Sequence, residues 1–325
     1  MKIKTVIIGS SGHVNYAFGS AETDNRIRIE AAAPGSPEES VSSLSGKVSR
    51  LYDNWRQMLD NEKPQVAVIA PHFYLNSVIS VECLQRGIHC FCEKPIALSF
   101  KELDHLQNVQ QKSGVLFCAM HALRFDPAMA AAGQAVRAGL IGEPLLITAQ
   151  KSYRLGQREN FFKKRRTYGG TILWVGIHAI DWVYWISKGA ISEVFAAHST
   201  VANHGHDELE SSAVVLFRLQ NSGQAVCSID YLRPAMAPSH ADDRLRIAGE
   251  RGIIEVLSGK VNVLLSDRAP YELPQQPAKN IFSLFIDSIL GAPPPLSTAE
   301  IFNVTRLALL ARESADRQKP MAVKF

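Results

Sequence analysis

The stretch that decides the fold reads Val6-Ile7-Ile8-Gly9-Ser10-Ser11-Gly12-His13-Val14, an apolar run that ends in a glycine turn. A dinucleotide-binding turn has glycine at its first, third and sixth positions. These glycines allow a tight turn, close backbone approach to a pyrophosphate, and close packing of the next helix. Gly9 fills the first position, whereas Ser11 and Val14 occupy the other two and Gly12 comes one place late. The stretch predicts the first strand of a parallel sheet, and an ordinary glycine turn remains the alternative to a dinucleotide site.

Short β-branched runs alternate with helical patterns through the first 120 residues. This alternation predicts βαβ units with right-handed crossovers around a buried parallel sheet. The predicted strands span 6–8, 27–33, 65–70, 88–92 and 115–119, and the predicted helices lie near 55–61, 76–86 and 100–112. A ribose-binding acid is expected at the end of the second strand, but Pro34 stands roughly there.

The pattern changes after about residue 122, where longer alternating strands begin. The predicted strands span 144–153, 193–201, 212–219, 224–231, 243–248 and 252–257, and the predicted helices span 125–138, 278–290 and 298–318. Asn221-Ser222-Gly223 is a hairpin turn signal. We therefore expect an α/β protein of two domains: a Rossmann-type doubly wound parallel sheet in 1–122, and an α+β domain with a large, mainly antiparallel sheet in 123–325.

The composition is that of a globular protein with a substantial core, since 46% of the 325 residues are hydrophobic and 20% are charged. The net charge of +4 is small and spread along the chain, so no nucleic-acid partner is expected. No apolar run approaches the roughly 20 residues that span a bilayer, so no membrane partner is expected either. The cysteines form no Cys-x-x-Cys pair and predict buried free thiols in a cytoplasmic protein. They are Cys83, Cys90, Cys92, Cys118 and Cys227.

Glu93-Lys94-Pro95 directly follows the predicted strand 88–92. Ligands of open α/β sheets bind at the carboxyl ends of strands, and Pro95 restricts the conformation of Lys94. A lysine aimed into such a crevice can hydrogen-bond a substrate hydroxyl, and partial burial can lower its pKa toward neutrality. The alternative is a solvated lysine in a turn.

A second candidate segment begins with Gly169-Gly170 and continues as a helix through Asp181. Trp174 and His178 are four residues apart and share a helix face. Gly176 within a helix costs about 1 kcal/mol relative to alanine, which indicates close packing there. The alternative reading of His178 is an ordinary structural histidine.

Two further clusters of polar residues are candidate binding sites. The basic loop Lys163-Lys164-Arg165-Arg166, with Arg154 and Arg158 nearby, can hold a carboxylate or phosphate of a substrate, and a solvated loop is the alternative. His204-Gly205-His206-Asp207 has the residue types of a metal site, but with no further ligand implied we interpret it as a polar turn and expect no metal.

Four motifs together resemble the Gfo/Idh/MocA family, that of glucose-fructose oxidoreductase and the inositol dehydrogenases, over essentially the full chain. They are Glu93-Lys94-Pro95, Leu123-Arg124-Phe125-Asp126-Pro127, Gly139-Leu140-Ile141-Gly142-Glu143-Pro144, and the helix from Gly169-Gly170 to His178-Ala179-Ile180-Asp181. The resemblance implies an oxidoreductase that transfers a hydride between NAD or NADP and a hydroxyl-bearing carbon of a sugar, cyclic polyol or related small molecule. It also implies a homodimer or homotetramer.

The resemblance further implies the roles of individual residues. Lys94 and His178 are expected to be catalytic and to flank the reacting hydroxyl, one of them passing its proton. The expected cofactor-binding residues are Gly9, Ser10, Ser11, Gly12, His13, Val14, Ala70, Pro71, Glu93, Lys94 and Arg124. The expected substrate-binding residues are Lys94, Tyr153, Trp174, His178 and Asp181.

The chain departs from the family pattern at several positions. Trp174 stands where many members carry an aspartate, and it offers an aromatic face in place of a carboxylate. Pro34 removes the usual ribose acid, and Gly35-Ser36 offers no arginine for a 2′-phosphate, so NAD and NADP are not distinguished. Two alternatives therefore stay open: an NAD-dependent glycosidase or lyase of the same superfamily, and a non-catalytic member with a degenerate site.

Overall fold

The computed structural model describes residues 2–325 and divides the chain into two compact units. The first runs through Met120 and also contains Arg166–Gly169 and Lys279–Thr305. The second contains His121–Arg165, Gly170–Ala278 and Arg306–Phe325. The domain ranges 1–122 and 123–325 stay predictions, because these units are defined by internal packing and not by function.

The first unit is built on a six-stranded, all-parallel sheet. In chain order its elements are β1 (Ile3–Ile8), α1 (Asn15–Thr23), β2 (Ile27–Ala33), β3 (Arg50–Leu51), α2 (Trp55–Glu62), β4 (Val66–Ile69), α3 (Asn76–Gln85), β5 (His89–Cys92), α4 (Phe100–Ser113) and β6 (Phe117–Ala119). The strand order β3-β2-β1-β4-β5-β6 reverses beside β1, which is the doubly wound arrangement of a Rossmann fold. The predicted fold class of this half is confirmed.

Local side chains cap two helices of this unit, α2 and α4. Asn54 accepts hydrogen bonds from two backbone N–H groups at the start of α2, and Ser99 and Glu102 form a capping box at the start of α4. Gly114, with φ of +69°, ends α4. These caps lie next to the helix starts and ends that the sequence pattern predicts, which explains why the predicted bounds agree so closely.

The second unit contains a nine-stranded mixed sheet. The remaining elements of the chain are α5 (Pro127–Arg137), β7 (Pro144–Tyr153), α6 (Arg165–Tyr168), α7 (Thr171–Trp174), α8 (Gly176–Ile186), β8 (Ile191–Ser199), β9 (Ser212–Leu219), β10 (Gln224–Asp230), β11 (Ala241–Gly249), β12 (Gly252–Leu257), β13 (Lys260–Leu265), β14 (Arg268–Glu272), α9 (Ile281–Ile289), α10 (Thr298–Arg317) and β15 (Met321–Ala322). The sheet order is β14-β13-β12-β11-β7-β10-β9-β8-β15, and only the β7–β10 pair is parallel. The predicted large, mainly antiparallel sheet is confirmed, whereas β13 and β14 were not predicted.

One face of this sheet is covered by α8. Along β9, Val215 and Phe217 point inward and are buried, whereas Val214 and Leu216 are exposed on the other face. A Cβ atom on Gly176 would lie 2.6 Å from Cδ1 of Ile229 on β10, so a larger residue there would require the Ile229 side chain to move. Gly176, the first residue of α8, is therefore closely packed against β10, as the sequence indicated.

Helix α9 belongs to the core of the first unit although it lies far along the chain. The ring of Phe91 on β5 lies 5.0 Å from that of Phe282 and 5.7 Å from that of Phe285 on α9. Phe117 on β6 stacks on Phe302 at 5.9 Å. These aromatic contacts bury large apolar surfaces and explain why 279–305 groups with the parallel sheet.

Candidate functional site

The turn after β1 can be built only around glycine. Gly9 has φ of +80°, and a Cβ atom there would lie 2.3 Å from the backbone Cα of Pro71. A Cβ atom on Gly35 would lie equally close to Cβ of Pro71. Pro71 directly follows Ala70, whose carbonyl accepts a hydrogen bond from the Gly12 N–H. The ends of β1, β2 and β4 thus meet in tight backbone contact, at the edge of the sheet where open α/β folds bind ligands.

The carboxylate of Glu39 binds this turn. Its Oε1 accepts hydrogen bonds from the Ser10 N–H at 2.9 Å, the Ser11 N–H at 3.2 Å and the Ser11 hydroxyl at 2.8 Å. Its Oε2 accepts a hydrogen bond from the Gly35 N–H at 2.8 Å. Glu39 is buried in spite of its charge. A buried acid thus lies at the turn five residues after Pro34, and its contacts show that the Ser10 and Ser11 N–H groups can bind an anionic oxygen.

Glu39 was not predicted, because a ribose-binding acid is expected at the end of β2, where Pro34 stands. The available signal was an acidic residue shortly after Pro34-Gly35, a turn that can bring the chain back over β1.

A second carboxylate, that of Glu93, binds the turn next to the first helix. Its Oε2 accepts a hydrogen bond from the His13 N–H at 2.7 Å and lies 2.6 Å from the ring Nδ1 of the same histidine. Its Oε1 accepts a hydrogen bond from the Lys94 N–H at 2.9 Å. Burial raises the pKa of Glu93, but His13 and Lys94 outweigh it and hold the pKa below its ordinary value. A Cβ atom on Gly12 would lie 2.5 Å from Oε2, so the late glycine makes room for this carboxylate.

Lys94 lies at the carboxyl end of β5 and is only 1% exposed. Asn76, at the start of α3, donates from Nδ2 to the carbonyls of Glu93 at 3.0 Å and Pro95 at 2.9 Å. The Lys94–Pro95 peptide bond is cis. Lys94 is therefore a buried, firmly positioned lysine and not the solvated turn lysine of the alternative reading. Asn76 was not predicted, although an asparagine just after β4 was a visible signal.

In the second unit, Trp174 ends α7 and His178 lies in α8, with Val175 between the two helices. Both side chains are buried. Thr171 anchors this segment, because Glu210 accepts its N–H at 2.9 Å and its hydroxyl donates to the Glu210 carbonyl at 2.6 Å. The Trp174 ring packs edge-on against Phe162 at 6.2 Å. The segment predicted as a single helix is thus two short helices, with the histidine on the second.

Asp181, one turn after His178, is bound by Arg124. Its Oδ1 accepts hydrogen bonds from the arginine Nη2 at 2.7 Å and Nε at 3.0 Å, and its Oδ2 accepts one from Nε at 2.8 Å. Both side chains are almost fully buried. This buried ion pair therefore links α8 to the 3₁₀ turn Ala122–Phe125. Roles for Arg124 in cofactor binding and Asp181 in substrate binding stay predictions.

Tyr153 ends β7 within a cluster of aromatic and charged groups. Its ring lies 4.8 Å from that of His240 and 6.4 Å from that of Tyr231, and the Lys151 ammonium lies 4.7 Å from its centre. Lys151 is buried and its Nζ lies 2.6 Å from Oδ1 of Asp243. Burial lowers the pKa of Lys151 and raises that of Asp243, each against the attraction of its partner.

In the other two clusters, part of the charge is already paired within the protein. Within the basic loop, Lys164 lies 3.6 Å from carboxylate oxygens of Asp207 and Glu208, and Arg165 pairs with Glu210 and Asp316. The segment from His204 to Asp207 is a turn in which His204, Gly205 and Asp207 all have positive φ. Among residues 2–325, no group of three His, Cys, Asp or Glu side chains is placed to hold a metal ion. None of the helices in that range has the length and apolarity to cross a bilayer, and all five cysteines are buried free thiols.

Comparison with known proteins agrees with these features. The model of an oxidoreductase family with an NAD-binding Rossmann fold matches residues 3–121, and that of the Gfo/Idh/MocA C-terminal domain matches residues 129–255. A solved structure from Thermotoga maritima, assigned to the oxidoreductases, is 43% identical, covers 99% of this chain and 100% of its own, and superposes with a TM-score of 0.95. Residues 3–121 thus have the NAD-binding Rossmann fold of an oxidoreductase family. The chain belongs to the Gfo/Idh/MocA family.

Curated relatives are more distant. A 2,7-anhydro-N-acetylneuraminate hydratase of Mediterraneibacter gnavus is 26% identical over 61% of this chain and 53% of its own length. A myo-inositol 2-dehydrogenase of Thermotoga maritima is 24% identical over 64% of this chain and 60% of its own length. The matches therefore span only about half to three fifths of these proteins. A levoglucosan dehydrogenase solved with NADH and levoglucosan shares the fold, with a TM-score of 0.86 at 17% identity over the full length of both chains.

Proposed function

We propose that the protein is an NAD-dependent dehydrogenase that acts on a hydroxyl-bearing carbon of a sugar, cyclic polyol or related small molecule. The observation that carries the proposal is Lys94, buried and firmly held at the carboxyl end of β5, next to a turn whose N–H groups bind carboxylate oxygens. The family and the polyol-acting relatives support the same reaction class. Calorimetric titration with NADH tests it, and absence of binding at millimolar concentrations would remove it.

The residues of this chain fit a nicotinamide dinucleotide. The turn 9–14 and the start of α1 would hold the phosphates, whose oxygens would take over the Ser10 and Ser11 N–H groups that Glu39 binds in this structure. Ala70 and Pro71 form the opposite wall. When bound, the cofactor supplies the hydride chemistry. We assign Lys94 to hold the substrate hydroxyl and His178 to exchange its proton, because an imidazole titrates near neutral pH.

Glu39 leads us to propose NAD as the preferred cofactor. In Rossmann folds a carboxylate beside the glycine turn binds the ribose hydroxyls of NAD and repels the 2′-phosphate of NADP. Glu39 has this position beside Ser10 and Ser11. NADH should therefore bind more tightly than NADPH.

The change Glu39→Gln removes the charge and keeps one acceptor oxygen for the turn. We expect it to weaken NADH, to strengthen NADPH, and to shift the ratio of the two Kd values by about tenfold or more, the size of a lost charge-assisted hydrogen bond. Fluorescence titration of the full chain with both cofactors measures this ratio. Glu38→Gln, an exposed neighbour, is the matched control. A ratio that stays constant, or that moves equally in the control, argues against the role of Glu39.

Location and assembly are part of the same proposal. We propose a cytoplasmic homodimer or homotetramer that has no nucleic-acid partner. The five buried free thiols support a reducing compartment. Phe195, Val214 and Leu216 support assembly, because they form an exposed apolar patch on the outer face of the second unit's sheet. Light scattering that gives a monomer at working concentration would refute the oligomer.

A second candidate is a lyase or hydratase that uses the cofactor only transiently. The hydratase relative and Trp174, in place of the usual aspartate, favour it. Product analysis separates the two candidates, because a lyase or hydratase converts its sugar with no net change in NADH absorbance.

A further inference from the structure

We propose that the substrate carries an anionic oxygen group, a carboxylate or a phosphate ester, and that Arg154 and Arg158 recognise it. The inference rests on the proposed dehydrogenase function and narrows its substrate class from sugars and polyols in general to sugar acids or sugar phosphates.

The first observation is the lack of a carboxylate partner for these two arginines. Arg154 follows β7, and one of its Nη atoms donates to the carbonyl of Ala237. Arg158 donates from Nη2 to the carbonyl of Arg154 at 3.1 Å. Within residues 2–325, neither guanidinium has a carboxylate oxygen at ion-pair distance, whereas neighbouring Lys151, Lys164 and Arg165 each have one. Arg154 and Arg158 therefore keep a positive charge that no carboxylate of the described residues offsets.

The second observation concerns buried N–H donors of the two arginines that lack a hydrogen-bond acceptor. The Nε atoms of both arginines are buried and have no hydrogen-bond partner among the described residues. A buried donor without an acceptor is costly, and such groups in proteins call for a missing partner. A carboxylate or a phosphate can accept two parallel N–H bonds from one guanidinium. Such a group therefore satisfies these donors better than a neutral hydroxyl does.

The third observation is the location of the arginines. The Arg158 guanidinium lies 5.0 Å from the ring centre of Tyr231 and 5.4 Å from that of Phe162. Tyr231 packs on Tyr153, and Phe162 packs on Trp174. Tyr153 and Trp174 are the two aromatic residues predicted to bind substrate. Arg158 therefore bridges the aromatic groups of the candidate substrate site, where their flat faces can carry a sugar ring.

The local electrostatics agree with an excess of positive charge. Burial lowers the pKa of His240, which stacks on Tyr153, and Arg158, Arg154 and Lys151 lower it further, against the attraction of Asp243. Asp243 is itself paired with Lys151. The two arginines are the surplus charges around this cluster, and an anionic ligand would neutralise them.

The experiment uses the full chain saturated with NADH and three probes: D-glucose, D-glucuronate and D-glucose 6-phosphate, with the galactose series as a second set. We expect calorimetry to detect an acid or a phosphate with a Kd about tenfold or more below that of its neutral counterpart. Tighter binding of the uronate identifies a carboxylate, and tighter binding of the phosphate identifies a phosphate ester. Equal binding of neutral and anionic members, or no binding of any anionic member, overturns the inference.

The variants Arg154→Gln and Arg158→Gln test the assignment to these residues. Each should weaken the anionic probe about 10- to 100-fold more than it weakens the neutral sugar. Arg158→Lys keeps the charge but loses the planar fork, so it should give an intermediate loss and serves as well if the glutamine variant folds poorly. Arg218→Gln, an exposed arginine on β9, is the charge-matched control. Anionic binding that is unaffected by both glutamine changes overturns the assignment.

Failure of this inference can be told apart from failure of the proposed function. NADH binding is measured first on the unmodified chain. If NADH does not bind, the dehydrogenase proposal fails; if it binds and the anionic preference is absent, only the substrate class is wrong.

Discussion

Lys94→Met is expected to lower kcat by about 10²- to 10⁴-fold while NADH binding stays intact, because the change removes the group that we assign to hold the substrate hydroxyl in place for proton transfer. Methionine has similar length and tolerates burial, so the space beside Glu93 stays filled. Glu93 keeps its contacts with His13, which leaves the cofactor turn in place. Steady-state turnover with the best sugar or polyol, together with NADH titration, separates loss of chemistry from loss of cofactor.

Two companion variants sharpen the test. Lys94→Arg keeps a cation that stays protonated at neutral pH, so it should remain inactive if Lys94 takes part in proton transfer and regain activity if only its charge matters. Lys101→Met, on the exposed side of α4, should leave kcat and NADH binding unchanged. Turnover within tenfold of the unmodified protein in Lys94→Met would instead favour the reading of a non-catalytic family member.

Asp181→Ala is expected to lower the free energy of unfolding by about 3–5 kcal/mol, the usual result of removing one partner from a buried ion pair. Both oxygens of Asp181 accept hydrogen bonds from Arg124, and alanine would leave that guanidinium charged and buried without its carboxylate. Since α8 also carries His178, kcat should fall together with stability. Denaturant unfolding followed by tryptophan fluorescence measures the change, because Trp182 and Trp185 lie on the same helix.

The matched control is Asp267→Ala, which removes an aspartate from an exposed pair with Arg268 and should leave the unfolding transition in place. The double variant Arg124→Met with Asp181→Leu replaces the buried charges by apolar side chains and should recover much of the lost stability. A small effect of Asp181→Ala would mean that Arg124 finds another acceptor and that the pair does not hold α8.

Local sequence patterns were enough to predict most of the helices and strands. The apolar run before Gly9, the alternation along β9 and the caps at Asn54 and Ser99 act over a few residues, so their consequences can be read from neighbouring residues. The same patterns could not reveal β13 and β14, because an edge hairpin gains its stability from pairing with β12. They also could not show that α9 packs on β5, since Phe91 and Phe282 are separated by most of the chain.

The sequence by itself determined the two sheets and the presence of Lys94 and His178 in family motifs, because strand periodicity and short motifs are local properties. Only the tertiary structure decided which charged side chains are paired within the protein and which can bind a ligand. It placed the carboxylate of Glu39 on the turn after β1. It paired Asp181 with Arg124 and Arg165 with Glu210. Arg154 and Arg158 were left without a carboxylate partner. The physical reason is that an ionised side chain acts on what lies within a few ångströms, and those neighbours come from distant parts of the chain.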